Sequence, residues 1–181
     1  MTYYRRRLPH WQPPDQDVFV TWRLYGSLPR KIPPPTKNSS PGATFAHYDH
    51  FLDKAQEGPL WLKDTRIAEC VLEGMIEAQK KQMTQIRAYT LMTNHVHILL
   101  KPIVLLEQIT RQIKGATARR ANLILSRTGI PFWQDESFDR WVRNPVEGEK
   151  IRKYIEGNPV AAGLVARPED WPWSSASRPI E

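Results

Sequence analysis

The sequence predicts an α+β fold: an antiparallel sheet of the ferredoxin-like kind with packed helices. Three observations predict it. Strand-period alternation appears at 18–26, 86–101 and 138–143. Helical periodicity separates these stretches, at 65–83 and 104–127. The resulting order is β-α-β-β-α-β with a trailing helix, which closes naturally into one sheet backed by helices.

Residues 1–17 read as a basic, irregular arm, with Arg5, Arg6 and Arg7 followed by Pro9, Pro13 and Pro14. Residues 18–181 read as a single domain, as expected for a chain of 181 residues. In VFVTWRLYG, 18–26, Val18, Val20, Trp22 and Leu24 alternate with Phe19, Thr21, Arg23 and Tyr25, which is a strand by period and by β-propensity. The segment 27–44 holds Pro29, Pro33, Pro34, Pro35 and Pro41 and reads as a surface loop. A short polar helical patch is expected at 45–62. From Thr65 to about Met83, Ile67, Val71, Met75 and Ile76 form one apolar helical face, capped by Asp64 or Thr65.

IRAYTLMTNHVHILLKP reads as a hairpin: strands at 86–92 and 95–101, a tight turn at Thr93 and Asn94, and a stop at Pro102. A helix at 104–127 carries Arg111, Lys114, Arg119 and Arg120. The stretch GIPFWQDESF reads as a loop into a strand at 138–143. A last helix runs from Glu147 to Gly157 and is stopped by Pro159. The tail, GLVARPEDWPWSSA, is irregular and Trp-rich.

Composition narrows the function classes. The chain has 26 Lys+Arg against 19 Asp+Glu, a net charge of +7 and a pI near 9.7. That balance suits a polyanionic partner, most often nucleic acid. Seven Trp, six Tyr and five Phe offer stacking surface as well as core. One cysteine, Cys70, excludes a disulfide framework and a thiolate metal cage within one chain. No apolar run approaches the ~18 residues of a membrane span, and the basic N-terminus has no apolar segment of a secretory signal. A cytoplasmic, nucleoid-associated protein is expected.

His95 and His97 carry the first chemical signal. Alternation puts both imidazoles on one strand face, about 6–7 Å apart at Cα, with Val96, Ile98 and Leu100 on the other. Such a pair can share a divalent cation. A hydrogen-bonded or solvent-facing pair is the alternative, and two ligands need a third from elsewhere. KIRKYIEGNPVAAGLV, 150–165, supplies candidates: Tyr154 and Asn158 are four apart and share a helix face. Asn158 would lend the third ligand, and Tyr154 would stand beside the metal as a nucleophile. A core aromatic packed beside Ile151 and Ile155 is the alternative for Tyr154.

These residues resemble a known family. Met92-Thr-Asn-His95-Val-His97-Ile-Leu resembles the HUH motif of single-tyrosine transposases. Tyr154-Ile-Glu-Gly-Asn158-Pro159-Val160-Ala-Ala-Gly163 resembles the tyrosine helix of their REP-associated, IS200-like branch. PFWQDESFDRWVR, PEDWPWSSA and the opening RRRLPHW…FVTWRL look like the same branch, in the same order. Family members often have proline before the Asn-His pair where this chain has Thr93. Gly157, a poor helix former, lies between the tyrosine and the asparagine.

The resemblance implies an HUH endonuclease fold and a Mg²⁺ or Mn²⁺ cofactor. It implies metal ligation by His95, His97 and Asn158, with Tyr154 as nucleophile. The reaction would cut single-stranded DNA at hairpin-forming, repetitive palindromic elements through a 5′-phosphotyrosine link and then rejoin it. The basic helix, through Arg111, Lys114, Arg119 and Arg120, and the arm, through Arg5, Arg6 and Arg7, are the expected DNA contacts; a solvated helix face is the alternative for the first. The protein would work as a monomer or a homodimer. Two other readings stay open on the residues alone. One is a non-catalytic, domesticated hairpin-binding protein, the other a metal-dependent hydrolase that activates water.

Overall fold

The computed structural model describes residues 15–29, 31–36, 39–55 and 57–180. Arg5, Arg6 and Arg7 lie outside the described residues. The elements run β1 (Val18–Leu24), α1 (Pro41–Lys54), α2 (Thr65–Lys80), β2 (Thr84–Leu91), β3 (His95–Pro102), α3 (Leu106–Ile124), β4 (Trp133–Trp141) and α4 (Pro145–Ala161), with short 3₁₀ turns at Trp61–Lys63 and Pro168–Asp170. The strands form one antiparallel sheet in the order β2-β3-β1-β4. Without α1 and α4 this is the β-α-β-β-α-β arrangement the periodicities predict.

The sheet separates two apolar layers because strand side chains alternate. Val18, Val20, Trp22 and Leu24 of β1 join Val96, Ile98 and Leu100 of β3 on one face, against Ile67, Val71 and Met75 of α2 and Ile109 and Ile113 of α3. Phe19 and Leu99 point the other way, to Phe45 of α1 and Ile151 and Ile155 of α4. His95 and His97 lie on that second face. The hairpin closes as the sequence suggests: β2 ends at Leu91, β3 starts at His95, and Met92 N–H donates to the His95 carbonyl at 2.9 Å.

Three boundaries depart from the sequence reading. First, α1 begins at Pro41, inside the segment read as loop. Ser40 Oγ accepts from Ala43 N at 3.2 Å, a cap followed by a proline whose fixed φ suits the first turn. Second, β4 begins at Trp133 rather than near 138, because a register shift between Trp22 and Leu24 breaks the period that would have revealed it. Third, α4 does not stop at Pro159 but continues to Ala161. The proline removes the N–H that would serve the Ile155 carbonyl and crowds that carbonyl, but Ile155, Asn158 and Pro159 are all buried, and their packing holds the turn. At α2, Asp64 is the cap, accepting from Arg66 N at 3.0 Å.

The α2–α3 contact depends on one glycine. A Cβ on Gly74 would lie 2.4 Å from Thr117 Cγ2. Thr117 cannot turn away freely, since its hydroxyl donates to the Ile113 carbonyl at 2.7 Å and accepts the Trp133 indole N–H at 2.9 Å. Gly74→Ala is therefore expected to destabilise the protein by roughly 1–2 kcal/mol, the overpacking cost exceeding the ~1 kcal/mol gained in helix propensity. Urea unfolding of the two proteins measures it.

Candidate active site

The second face of the sheet carries a buried polar centre. His95 and His97 are fully buried, and their Nε2 atoms approach to 2.9 Å. Each ring is aimed from behind. Asn94 Nδ2 donates to the Leu52 carbonyl at 3.0 Å, which fixes the Asn94 amide so that its oxygen faces His95 Nδ1 at 2.6 Å. His95 must then carry its proton on Nδ1, and its Nε2 lone pair faces the centre. Thr21 Oγ1 lies 2.8 Å from His97 Nδ1 and holds that ring in place.

Carboxylates complete the cluster, and sequence reading missed them. Asp49 Oδ1 lies 3.6 Å from His95 Nε2 and 3.5 Å from His97 Nε2; Asp53 Oδ1 lies 3.6 Å from His95 Nε2. Both oxygens are buried and have no hydrogen-bond partner. Asp49 and Asp53 sit one turn apart on α1, so they share a face. That i, i+4 pair beside Phe45 and Leu52 was the available signal, hidden in a stretch that reads only as a polar helix.

Burial sets the electrostatics. It pushes both imidazoles down to about 3, so they are neutral near pH 7; the second imidazole adds to the effect at His95. Their contacts with Asp49 are thus not ion pairs. Burial raises the Asp49 carboxyl above the ordinary carboxylate range. It raises Asp53 to about 7, with the neighbouring Asp49 charge adding to it. The imidazole Nε2 atoms and two unpartnered carboxylate oxygens converge on one point, a donor set that suits a cation. Among the described residues, Asp49, His95 and His97 form the one group of three such side chains whose ligand atoms all lie within 4.8 Å of one another.

Helix α4 delivers the other two residues. Tyr154 hydroxyl donates to Asp49 Oδ2, and Asn158 Nδ2 stands 2.8 Å from His97 Nε2. Tyr154 and Asn158 thus reach one centre from consecutive turns. Burial and the Asp49 charge raise the Tyr154 phenol well above its ordinary value, so it is protonated at neutral pH. Phe19 stacks on the His97 ring at 5.8 Å, and Phe45 meets that ring edge-on at 6.2 Å. These rings wall the centre from solvent. The tyrosine itself keeps an exposed fraction of 42%.

The basic residues of α3 do not share one face. Lys114 Nζ donates to the carbonyls of Gln134 and Asp135 at 2.7 and 2.8 Å, so it ties α3 to β4; burial lowers it to about 8. Arg120 pairs with Glu77 at 2.6 Å and Arg111 with Glu107 at 2.5 Å. Arg111 and Arg119 line one groove with Gln108, Gln112 and Gly115, on the far side of the sheet from the histidines.

The family model described as "Transposase IS200 like" matches residues 54–158. That segment holds His95, His97, Tyr154 and Asn158 and starts just after Asp53. Among solved structures, the chain is similar to a REP-associated tyrosine transposase bound to a REP hairpin, at 18% identity and a TM-score of 0.63, covering 100% of this chain and 88% of that one. That likeness shows the fold. A chain from Deinococcus radiodurans R1, provisionally described as a transposase, aligns at 15% identity and a TM-score of 0.46, over 87% of this chain and 98% of that one. No curated protein matches the sequence.

Proposed function

The chain belongs to the IS200-like transposase family, and on that premise we propose that it cuts and rejoins single-stranded DNA at hairpin-forming repeats, using a divalent cation and Tyr154. One observation carries the reading. A single buried carboxylate, Asp49, turns one oxygen to the histidine pair and accepts the Tyr154 hydroxyl on the other.

The donor set fits a metal. His95 Nε2, His97 Nε2 and Asp49 Oδ1 would hold it, with Asp53 and Asn158 within reach. Imidazole mixed with carboxylate suits Mn²⁺ or Mg²⁺ better than thiolate-seeking ions; Asn158 would join the set only with its amide turned to present the oxygen, since its nitrogen faces His97. When bound, the cation polarises a phosphate oxygen and offsets charge on the departing oxygen.

The chain's own residues do the rest. Tyr154 Oη attacks the phosphorus, and its proton passes to Asp49 Oδ2. The P–O3′ bond breaks, the 5′ phosphate stays on the tyrosine, and the 3′ oxygen leaves as a hydroxyl with the proton returned. Attack by another 3′ hydroxyl reverses these steps and rejoins the strand. The aromatic wall of Phe19 and Phe45 keeps competing water from the link. The proposed substrate class follows the REP hairpin bound by the similar structure, and the net charge of +7 supports a polyanionic partner. Arg111 and Arg120, whose ion pairs with Glu107 and Glu77 are exposed or partly so, together with Arg119 and the arm residues Arg5, Arg6 and Arg7, are the proposed phosphate contacts. Among the described residues, no helix is long and apolar enough to cross a membrane; a nucleoid location is part of this proposal.

The test is a labelled single-stranded hairpin from the gene's flanks, incubated with Mn²⁺ and run on a denaturing gel. A covalent adduct, lost with chelator, is expected. Binding without any cleavage would move the reading to a hairpin-binding protein.

The residues behind the ligands have their own prediction. Asn94→Ala removes the acceptor that fixes the His95 tautomer. Mn²⁺ affinity is expected to fall about 10–100-fold, the usual cost of losing a partner that orients a metal ligand, as read by titration calorimetry.

A further inference from the structure

Beyond α4 the chain returns to the sheet. Gly163, at φ 70°, turns it, and residues 171–178 then run along the outer edge of β2. Leu91 N donates to the Trp173 carbonyl at 2.8 Å and Ser175 N to the Tyr89 carbonyl at 2.9 Å, with Ser174 bridging Thr90 between them. The Trp171 indole N–H donates to the Leu91 carbonyl at 2.9 Å. Arg178 holds Glu69 of α2 through two bonds of 2.9 Å. So far this is the covering of an edge strand.

Ser175 makes a further contact. Its hydroxyl accepts from Tyr89 N at 3.1 Å and donates to Glu156 Oε1 at 2.9 Å. Glu156 belongs to α4, and its second oxygen takes Arg152 one turn earlier. It lies midway between Tyr154 and Asn158. Two residues are about 200° around a helix, so Glu156 projects from the back of the face that serves the metal centre.

We propose that the tail is a latch on the tyrosine helix, with Ser175 and Glu156 as positioning residues that fix the roll of α4. The inference rests on the proposed role of Tyr154. The helix needs such a hold. It contains Gly148, Gly157 and Pro159, and its apolar anchors fall on one stripe at four-residue spacing, Ile151, Ile155 and Pro159. Pro159 also leaves the last turns short of one backbone bond, next to Asn158. A helix held along one stripe can roll about it, and a second anchor from behind prevents this. A roll of about 10° carries a tyrosine hydroxyl by roughly 1 Å, and a 1 Å misplacement can cost on the order of 100-fold in rate.

The experiment compares wild type with Ser175→Ala, Ser175→Thr, Glu156→Ala and the double variant Ser175→Ala/Glu156→Ala. Two readouts are taken: single-turnover adduct formation at saturating hairpin and Mn²⁺, and amide hydrogen exchange across residues 154–161 without DNA. Ser175→Ala is expected to slow adduct formation roughly 10–100-fold while the hairpin Kd stays within about twofold. Exchange in 154–161 should quicken about tenfold or more while α2 and α3 keep their protection. Glu156→Ala should match it, the double variant should be no worse than either single, and Ser175→Thr should restore both readouts. An Ala variant that keeps wild-type exchange across 154–161 overturns the latch, as does additive loss in the double variant. If wild type forms no adduct, the exchange data still decide the latch, and only the nucleophile reading fails.

Discussion

Tyr154→Phe is expected to abolish the covalent DNA–protein product while leaving Mn²⁺ affinity and hairpin Kd within about twofold of wild type. The substitution removes one oxygen and keeps the ring, whose edge contacts with Phe19 at 6.1 Å and His97 at 5.8 Å need no hydroxyl. The rate is expected to fall by at least about 10⁴-fold, the scale on which covalent catalysts lose activity with their nucleophile. Asp49 Oδ2 loses its donor, so the variant is also expected to lose about 1–3 kcal/mol of stability, which the apo protein shows as a lower Tm. Adduct formation and total strand cleavage must both be read on the gel. Cleavage that persists in Tyr154→Phe without an adduct would mean that water attacks, and Tyr154 would then have no chemical role.

The lone hydroxyl is a weak nucleophile for two reasons that the structure makes concrete. It is protonated, and burial together with the Asp49 charge keeps it so. Under the proposed chemistry, attack would have to be concerted with loss of its proton, and Asp49 is the group already in hydrogen-bond contact to take it. In this geometry the carboxylate that would bind the cation is the one that holds the tyrosine, so loading the site and placing the nucleophile are coupled through a single side chain.

Much of this centre is legible along the sequence. Alternation in 95–100 puts His95 and His97 on one side, and the four-residue spacing puts Tyr154 and Asn158 on one helix face; both hold in three dimensions. The ferredoxin-like order follows largely from period, because β1, β3, α2 and α3 each carry a regular apolar face. What fails is what depends on distant partners. Asp49 becomes a site residue only because α1 is laid across a strand 46 positions later in the chain, and no local pattern states that. Asn94 reads as a turn residue, yet its amide is held by Leu52 of α1 and so orients His95. Lys114 reads as part of a basic stripe, but its position relative to β4 turns its ammonium inward to two carbonyls. Pro159 reads as a stop because its local cost is plain; the burial of Ile155 and Asn158 that overrides it is not.

Asp49→Ala is expected to separate stability from function in opposite directions. In chelator, the empty protein carries a buried carboxyl with one oxygen unpartnered, and its raised pKa records that burial disfavours its charged form. An acid whose folded pKa lies above its unfolded value leaves stability intact at low pH and loses it as pH rises through the folded value. Asp53, raised to about 7, has the same sign, so apo wild type should lose stability relative to Asp53→Asn between about pH 4 and pH 7. The imidazoles run the other way: held near 3, they cost stability as pH falls below about 6.5. Apo Asp49→Ala escapes the carboxylate penalty and should be no less stable than wild type at pH 8 once the lost packing is matched by Asp49→Asn as control. With Mn²⁺ present the order reverses, since only wild type gains the binding free energy. Mn²⁺ affinity is expected to fall at least about 100-fold in Asp49→Ala, and adduct formation by about 10³-fold or more, because the same carboxylate also receives the tyrosine proton. Calorimetry and the gel then divide the two duties. If Asp49→Ala bound Mn²⁺ as wild type does yet formed no adduct, the carboxylate would serve the tyrosine alone, and the cation would have to rest on His95, His97, Asp53 and Asn158.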